Sequence, residues 1–116
     1  MNSNNNKIVG RLGESKACDF LIKNMYTILE RNYSTKIGEV DIIAKQAGVI
    51  VFVEVKRRMT RALGYGRFAV TKSKQLKIKQ VAMQYLKSKK LFDVSVRFDV
   101  IELDDDNIQH LINAFY

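Results

Sequence analysis

An α/β fold in the order α-β-β-β-α-β-β is predicted by three features of the sequence. Two stretches place apolar residues at helical spacing, at least four others alternate or run apolar over strand lengths, and the densest of these, "AGVIVFVEVKRR", has the Val/Ile/Phe content of a central strand. At 116 residues and 47% apolar content, the chain is long enough to bury its own core as one domain.

The elements follow in order. Residues 1–7, "MNSNNNK", are polar and read as a disordered tail, so the domain is taken as 8–116. In "KIVGRLGESKACDFLIKNM", Val9, Leu12, Ala17, Phe20 and Leu21 recur near helical spacing, which predicts a first amphipathic helix carrying Glu14. "YTILERNYS" and "GEVDIIAKQ" are strand-like, and "KQAG" is a short hairpin turn into the central strand. "MTRALGYGRFAV", with two glycines and mixed polarity, reads as a loop. From about Thr71 to Lys89 a stripe of Ile78, Val81, Ala82, Tyr85 and Leu86 predicts the second helix, with Lys74, Lys77, Lys87 and Lys90 off the stripe. "VSVRFDVIEL" and "IQHLINAFY" supply two closing strands around the acidic turn "DDDN".

Charge divides the chain. The net charge is +8, yet Val55–Phe92 holds 12 Lys or Arg and no acid, while Asp93–Tyr116 holds six acids against Arg97 alone. A basic stretch of that density suits a polyanion such as nucleic acid, although a solvated lysine-rich helix face has the same composition. The polar N-terminus and the lack of any long apolar run predict a cytoplasmic protein without a membrane partner. With one cysteine, Cys18, and one histidine, His110, neither an internal disulfide nor a zinc site of Cys/His spacing is expected.

The chemistry concentrates in "GEVDIIAKQAGVIVFVEVKRR", where Glu39, Asp41, Glu54 and Lys56 stand among valines and isoleucines. Side chains two apart on a strand share a face, so Glu39 goes with Asp41 and Glu54 with Lys56. An antiparallel hairpin through "KQAG" would bring Asp41 and Glu54 together. Two such carboxylates repel unless a cation sits between them, and a hard divalent ion, Mg²⁺ or Mn²⁺, meets that need. Lys56 would stand beside the metal and steady charge on a phosphoryl group. The plainer alternative makes Glu54 and Lys56 an outward-facing pair on a half-exposed sheet.

An acid, about a dozen residues, then "EVK" closing an apolar strand resembles the motif of the PD-(D/E)XK nuclease superfamily, written here with Asp41, Glu54, Val55 and Lys56. More narrowly, "GRLGESKACDFL", "ILERNY", "GEVDIIA", "VFVEVKRR", "AVTKSKQLKI" and "VRFDVIEL" resemble the YraN-like family of small bacterial proteins, over most of residues 8–103. The resemblance implies a restriction endonuclease-like core, a mixed central sheet flanked by helices, and a metal-dependent nuclease acting on DNA by structure rather than sequence. A non-catalytic nucleic-acid-binding role on the same scaffold is the alternative. Implied metal positions are Asp41, Glu54, the main chain of Val55 and, from the first helix, Glu14. Glu39 either joins the catalytic set or flanks it. Val40 precedes Asp41 where the motif has proline.

Arg57, Arg58, Arg61, Arg67, Lys72, Lys74 and Gln75 are candidate contacts to nucleic acid, DNA before RNA, with a solvated face as the competing reading for Lys72 and Gln75. Tyr65 and Phe68 either stack on bases or pack under the loop. His110 reads as an ordinary strand residue. A homodimer is compatible with this class, by analogy alone.

Overall fold

The computed structural model describes residues 3–57 and 70–116. The elements are α1 (Ser3–Lys23), β1 (Thr27–Ser34), β2 (Glu39–Gln46), β3 (Val49–Arg57), α2 (Lys72–Ser88), β4 (Ser95–Leu103) and β5 (Ile108–Phe115). The expected loop around Gly64 and Gly66, with Arg58, Arg61, Tyr65, Arg67 and Phe68, lies outside the described residues. Among the described residues no helix is long and apolar enough to cross a membrane.

Helix α1 opens at Ser3, inside the stretch read as a tail. Asn and Ser carry only a modest helix penalty, and a helix anchored at its C-terminal half extends at one hydrogen bond per residue. Its buried face is Gly13, Ala17, Cys18 and Leu21, whereas Leu12, counted with the stripe from spacing, is 56% exposed. A Cβ at Gly13 would stand 3.7 Å from Leu103 Cδ1, an ordinary contact, so this position faces the sheet on the same edge as Ala17 and Leu21, and Leu12, one residue earlier, turns outward.

The five strands lie in the order β1-β2-β3-β4-β5. β1–β2, β2–β3 and β4–β5 pair antiparallel, while β3 and β4 pair parallel with α2 as the crossover between them. The sheet is therefore mixed, and the architecture is that of a restriction endonuclease-like core. β3 is the middle strand and is covered on both faces, which is why it reads as an almost unbroken apolar run. On one face Ile50, Phe52, Ile43, Val40 and Val100 pack against Ile78, Val81, Ala82 and Tyr85 of α2. On the other, Val51, Val53, Ile42, Ala44, Ile101 and Leu103 pack against Ala17, Cys18 and Leu21 of α1.

Local chemistry fixes the ends of α2. Thr71 is its N-cap, with Oγ1 accepting from the Lys74 N–H at 3.1 Å, and the helix stops where Lys90 turns to φ 56° and the Leu91 N–H reaches back to the Leu86 carbonyl. The β2–β3 hairpin closes through two residues, Ala47 (φ 50°) and Gly48 (φ 79°), since Gln46 pairs with Val49. Both central residues are left-handed, as in a type I′ turn, and alanine holds that conformation at a cost. Ala47→Gly should raise stability by about 0.5–1 kcal/mol, after allowing for the greater freedom of glycine in the unfolded chain. Chemical denaturation of the two proteins reads this directly, and a loss of stability would contradict it.

Candidate active site

Two aspartates, Asp41 half-buried and Asp99 fully buried, patch two breaks in the sheet, and the first break is the site. The β2–β3 ladder runs from Gln46–Val49 to Ile42–Val53 and ends there, because the strands diverge at the next position, Asp41 opposite Glu54. Divergence leaves the Val55 N–H without a strand partner, and Asp41 Oδ2 accepts from it at 2.8 Å. The aspartate thus substitutes for a backbone carbonyl and is held in one orientation. Glu54 continues the Ile50–Phe52 face of β3, the face toward α2, and is only 4% exposed at the end of that apolar row.

The two carboxyl groups are close enough to share a hydrogen bond. Burial first, then the hydrogen bond and charge of Glu54, push the Asp41 carboxyl up to about 9, against the opposing effect of the Val55 N–H. At neutral pH the metal-free pair keeps a proton between its members. Lys74, from the first turn of α2, places Nζ 2.5 Å from Glu54 Oε2. Burial disfavours that ammonium's charge, but Glu54, Asp41 and Glu39 outweigh it and hold the lysine above its usual value.

Around the pair opens a cavity of about 410 Å³, walled by Gly38, Glu39, Asp41 and Glu54 on the sheet side and by Thr71, Ser73, Lys74 and Lys77 on the helix side. The β1–β2 turn forms the rim: the Thr35 N–H donates to the Gly38 carbonyl at 2.8 Å, and Thr35 Oγ1 accepts from the Ile37 N–H at 3.1 Å. Gly38 sits against Lys77 and Val81 of α2.

The donor set suits a hard cation. All the groups are oxygens, Glu14 adds a buried Oε2 without a hydrogen-bond partner among the described residues, and its charge is felt at Asp41. Among the described residues no three Asp, Glu, His or Cys side chains already stand close enough to cage an ion. An ion at the Asp41–Glu54 pair would therefore keep several waters, which is the habit of Mg²⁺. Asp41 and Glu54 would be the direct ligands of such an ion, Glu39 lines the same cavity, and the Val55 main chain lies against Asp41 through its N–H.

The other sequence candidates fall in different places. Lys56 is half-buried on the Glu54 face of β3, in register with buried Glu102 of β4, and among the described residues the ammonium groups that wall the cavity are those of Lys74 and Lys77. Arg57 alternates to the α1 face, in register with Leu103, and pairs with Asp105 in the β4–β5 turn, away from the acids. Gln75 spends its amide on the Val70 carbonyl at 2.9 Å, bracing the entry to α2. Lys72 is exposed at the first position of the helix. Thr71, Ser73 and Lys77 join the cavity without having been singled out from the sequence. The signal available was their position: one turn of helix following the apolar strand that ends in the acids.

The second break lies between β4 and β5, where the register shifts between Phe98 and Val100. Asp99, fully buried, accepts from the Asn113 N–H at 2.9 Å, from Arg97 Nε and Nη2 at 2.9 Å each, and bonds His110 Nε2 at 2.6 Å. Arg97 Nη2 also donates to Tyr26 Oη at 2.6 Å, tying the α1–β1 connection to the far edge of the sheet. His110, read as an ordinary strand residue, is a member of this network. An Arg and an Asp two apart inside an apolar strand was the available signal, since both must face the same buried side.

A mixed five-stranded sheet between helices, in the order α-β-β-β-α-β-β, is an α/β architecture compatible with a restriction endonuclease-like core. The sequence profile of Uncharacterised protein family UPF0102 matches residues 13–103, and the chain belongs to that family. It is 44% identical over 108 residues to a UPF0102 protein of Thermodesulfovibrio yellowstonii, covering 93% of this chain and 96% of that one. It is also 42% identical over 118 residues to a UPF0102 protein of Geobacter sulfurreducens, covering 97% and 92%, and 42% identical over 112 residues to one of Fusobacterium nucleatum, covering 97% and 94%.

Proposed function

We propose that the protein is a metal-dependent nuclease that hydrolyses phosphodiester bonds in DNA and selects DNA structure rather than base sequence. The observation that carries this reading is the Asp41–Glu54 pair, held at a strand divergence on the floor of an open cavity with cations on its wall. Two carboxyl groups buried together cost stability, and a fold with no use for a cation there would gain by replacing one of them with an apolar residue.

In this reading Asp41, Glu54 and the main-chain carbonyl of Val55 hold Mg²⁺ or Mn²⁺, with Glu14 and Glu39 reaching it through water. The ion supplies an activated water and neutralises charge on the phosphoryl oxygens. The Val55 N–H fixes the Asp41 carboxylate so that no reorientation is needed when the ion arrives. Lys56 from the strand and Lys74 with Lys77 from the helix meet the phosphate from two sides, and Arg58, Arg61, Arg67 and Lys72 contact the flanking backbone. The net charge of +8 and the acid-free stretch from Val55 to Phe92 support a polyanionic substrate.

The test is cleavage of supercoiled, branched and single-stranded DNA in Mg²⁺ and in Mn²⁺ by the wild type and by Glu54→Ala. The wild type is expected to cleave in a metal-dependent way and the variant to lose at least a hundredfold in rate. Equal traces of cleavage in both would sink the enzyme reading and favour a non-catalytic nucleic-acid-binding protein on the same scaffold.

A further inference from the structure

We propose that Lys74 is a displaceable counter-ion: its ammonium neutralises the Asp41–Glu54 pair in the metal-free protein, and a divalent cation arriving there releases it to a DNA phosphate, so that metal loading and DNA binding reinforce each other. The inference rests on the metal-site reading above and adds to it a coupling between the two ligands.

Three features of the geometry support it. Lys74 Nζ stands 2.5 Å from Glu54 Oε2, yet the two side chains differ in exposure, 47% against 3%. The carboxylate is fixed in the wall, while the lysine reaches in from the rim on a flexible stem and can return to solvent with little loss of packing. A doubly charged ion on the pair would replace the ammonium's attraction to Glu54 with repulsion from the ion, which reverses the sign of the interaction that holds Lys74 inward.

The second feature is where the released ammonium goes. Lys74 belongs to the first turn of α2, whose Thr71 and Ser73 wall the same cavity together with Lys77. The first turn of a helix carries N–H groups without intrahelical acceptors and the positive end of the dipole, so a phosphate in that cavity would meet the helix start and the freed lysine together. The third is that, among the described residues, Lys74 is the cation paired to the acids, although Lys56 lies two positions from Glu54 on the same strand. The helix lysine therefore carries the charge compensation that an ion would take over. Any such linkage is reciprocal: if the ion strengthens DNA binding by some factor, DNA strengthens ion binding by the same factor.

Two measurements on the full chain test this. Mn²⁺ binding is followed by electron paramagnetic resonance for the wild type, Lys74→Gln, Lys74→Arg and Lys72→Gln, with folding of each checked by circular dichroism. Removing the competing ammonium should tighten Mn²⁺ in Lys74→Gln by about 5- to 50-fold, in the usual range of couplings between sites. Lys74→Arg keeps the charge and should stay near wild type, and Lys72→Gln, which removes an exposed cation outside the cavity, should move the affinity by less than twofold. In parallel, a fluorescently labelled four-way DNA junction is titrated in EDTA and in Ca²⁺, with the junction confirmed intact afterwards. The wild type should bind more tightly in Ca²⁺ than in EDTA, and in Lys74→Gln that ratio should fall toward one. Unchanged or weaker Mn²⁺ binding in Lys74→Gln, or a full Ca²⁺ effect on its junction binding, overturns the proposal while leaving the metal site standing. Failure of the wild type to bind Mn²⁺ overturns the metal site and this coupling together.

Discussion

Replacing Asp99 with alanine should cost about 3–5 kcal/mol, the scale for removing one member of a buried ionic network and leaving its partners behind. Asp99 is fully buried and satisfies four donors at once, from Arg97, His110 and the Asn113 main chain. Arg97 keeps Tyr26, but the Asn113 N–H loses its acceptor at the point where the β4–β5 register already shifts. In thermal unfolding this should lower Tm by roughly 15 °C or more for a domain of this size. Burial alone would push the Asp99 carboxyl up, but the hydrogen bonds from His110, Arg97 and Asn113 outweigh it and hold it below the ordinary carboxylate range. A depressed value contributes stability that is present above the unfolded value near 3.9 and is lost as pH falls through the folded one. The wild type should therefore lose stability in acid below about pH 4, and Asp99→Ala should show a smaller loss there. A variant within 1 kcal/mol of wild type would show the network to be ornamental.

Asp41→Asn should do the opposite to the metal-free protein, raising its stability at neutral pH by about 1–3 kcal/mol. The asparagine carbonyl still accepts from the Val55 N–H, and its amide donates to Glu54 where two carboxylates had to share a proton. The site opens to solvent, so the gain is well below a full conversion of the shift at Asp41. The sign of the pH dependence is fixed by that shift. The Asp41 carboxyl sits at about 9 in the folded protein, above its unfolded value, so the unfolded chain sheds its proton first as pH rises. Stability of the metal-free wild type should fall from about pH 4 toward pH 9, and Asp41→Asn should flatten that slope. Mg²⁺ should raise the Tm of the wild type, more at pH 8 than at pH 6, because the ion displaces a proton, and should leave the variant unmoved. If Asp41→Asn destabilises the metal-free protein, the pair is not under charge strain.

The sequence carried the fold well because the signals were local and periodic. The Ile78–Val81–Ala82–Tyr85 stripe of α2 and the apolar run of β3 each follow from burial of one face or two, and both stand where spacing puts them. The start of α1 was less legible, since a polar Asn/Ser stretch lacks the apolar period that marks a helix, and Leu12 was misplaced because an apolar residue beside the stripe counts toward the period whether or not it faces the sheet. Asp41 and Glu54 could be brought together by strand alternation, which needs only the hairpin. What alternation could not supply was the partner across the crossover. Lys74 lies 20 positions beyond Glu54, and its contact depends on how α2 crosses the sheet, a distance in space that no sequence period encodes. The Asp99 network was hidden for the same reason: its members come from β4, β5 and the α1–β1 connection.

The most direct test of the site is an anomalous difference map from a crystal of this protein soaked in Mn²⁺. The account predicts one strong peak per chain at the Asp41–Glu54 pair, about 2.1 Å from a carboxylate oxygen of each, with Lys74 moved off Glu54. The acidic turn Asp104–Asp106 is the natural competitor for a divalent ion, so the two places are told apart in one experiment. A map with no peak at the pair, or with its only peak at that turn, contradicts the account.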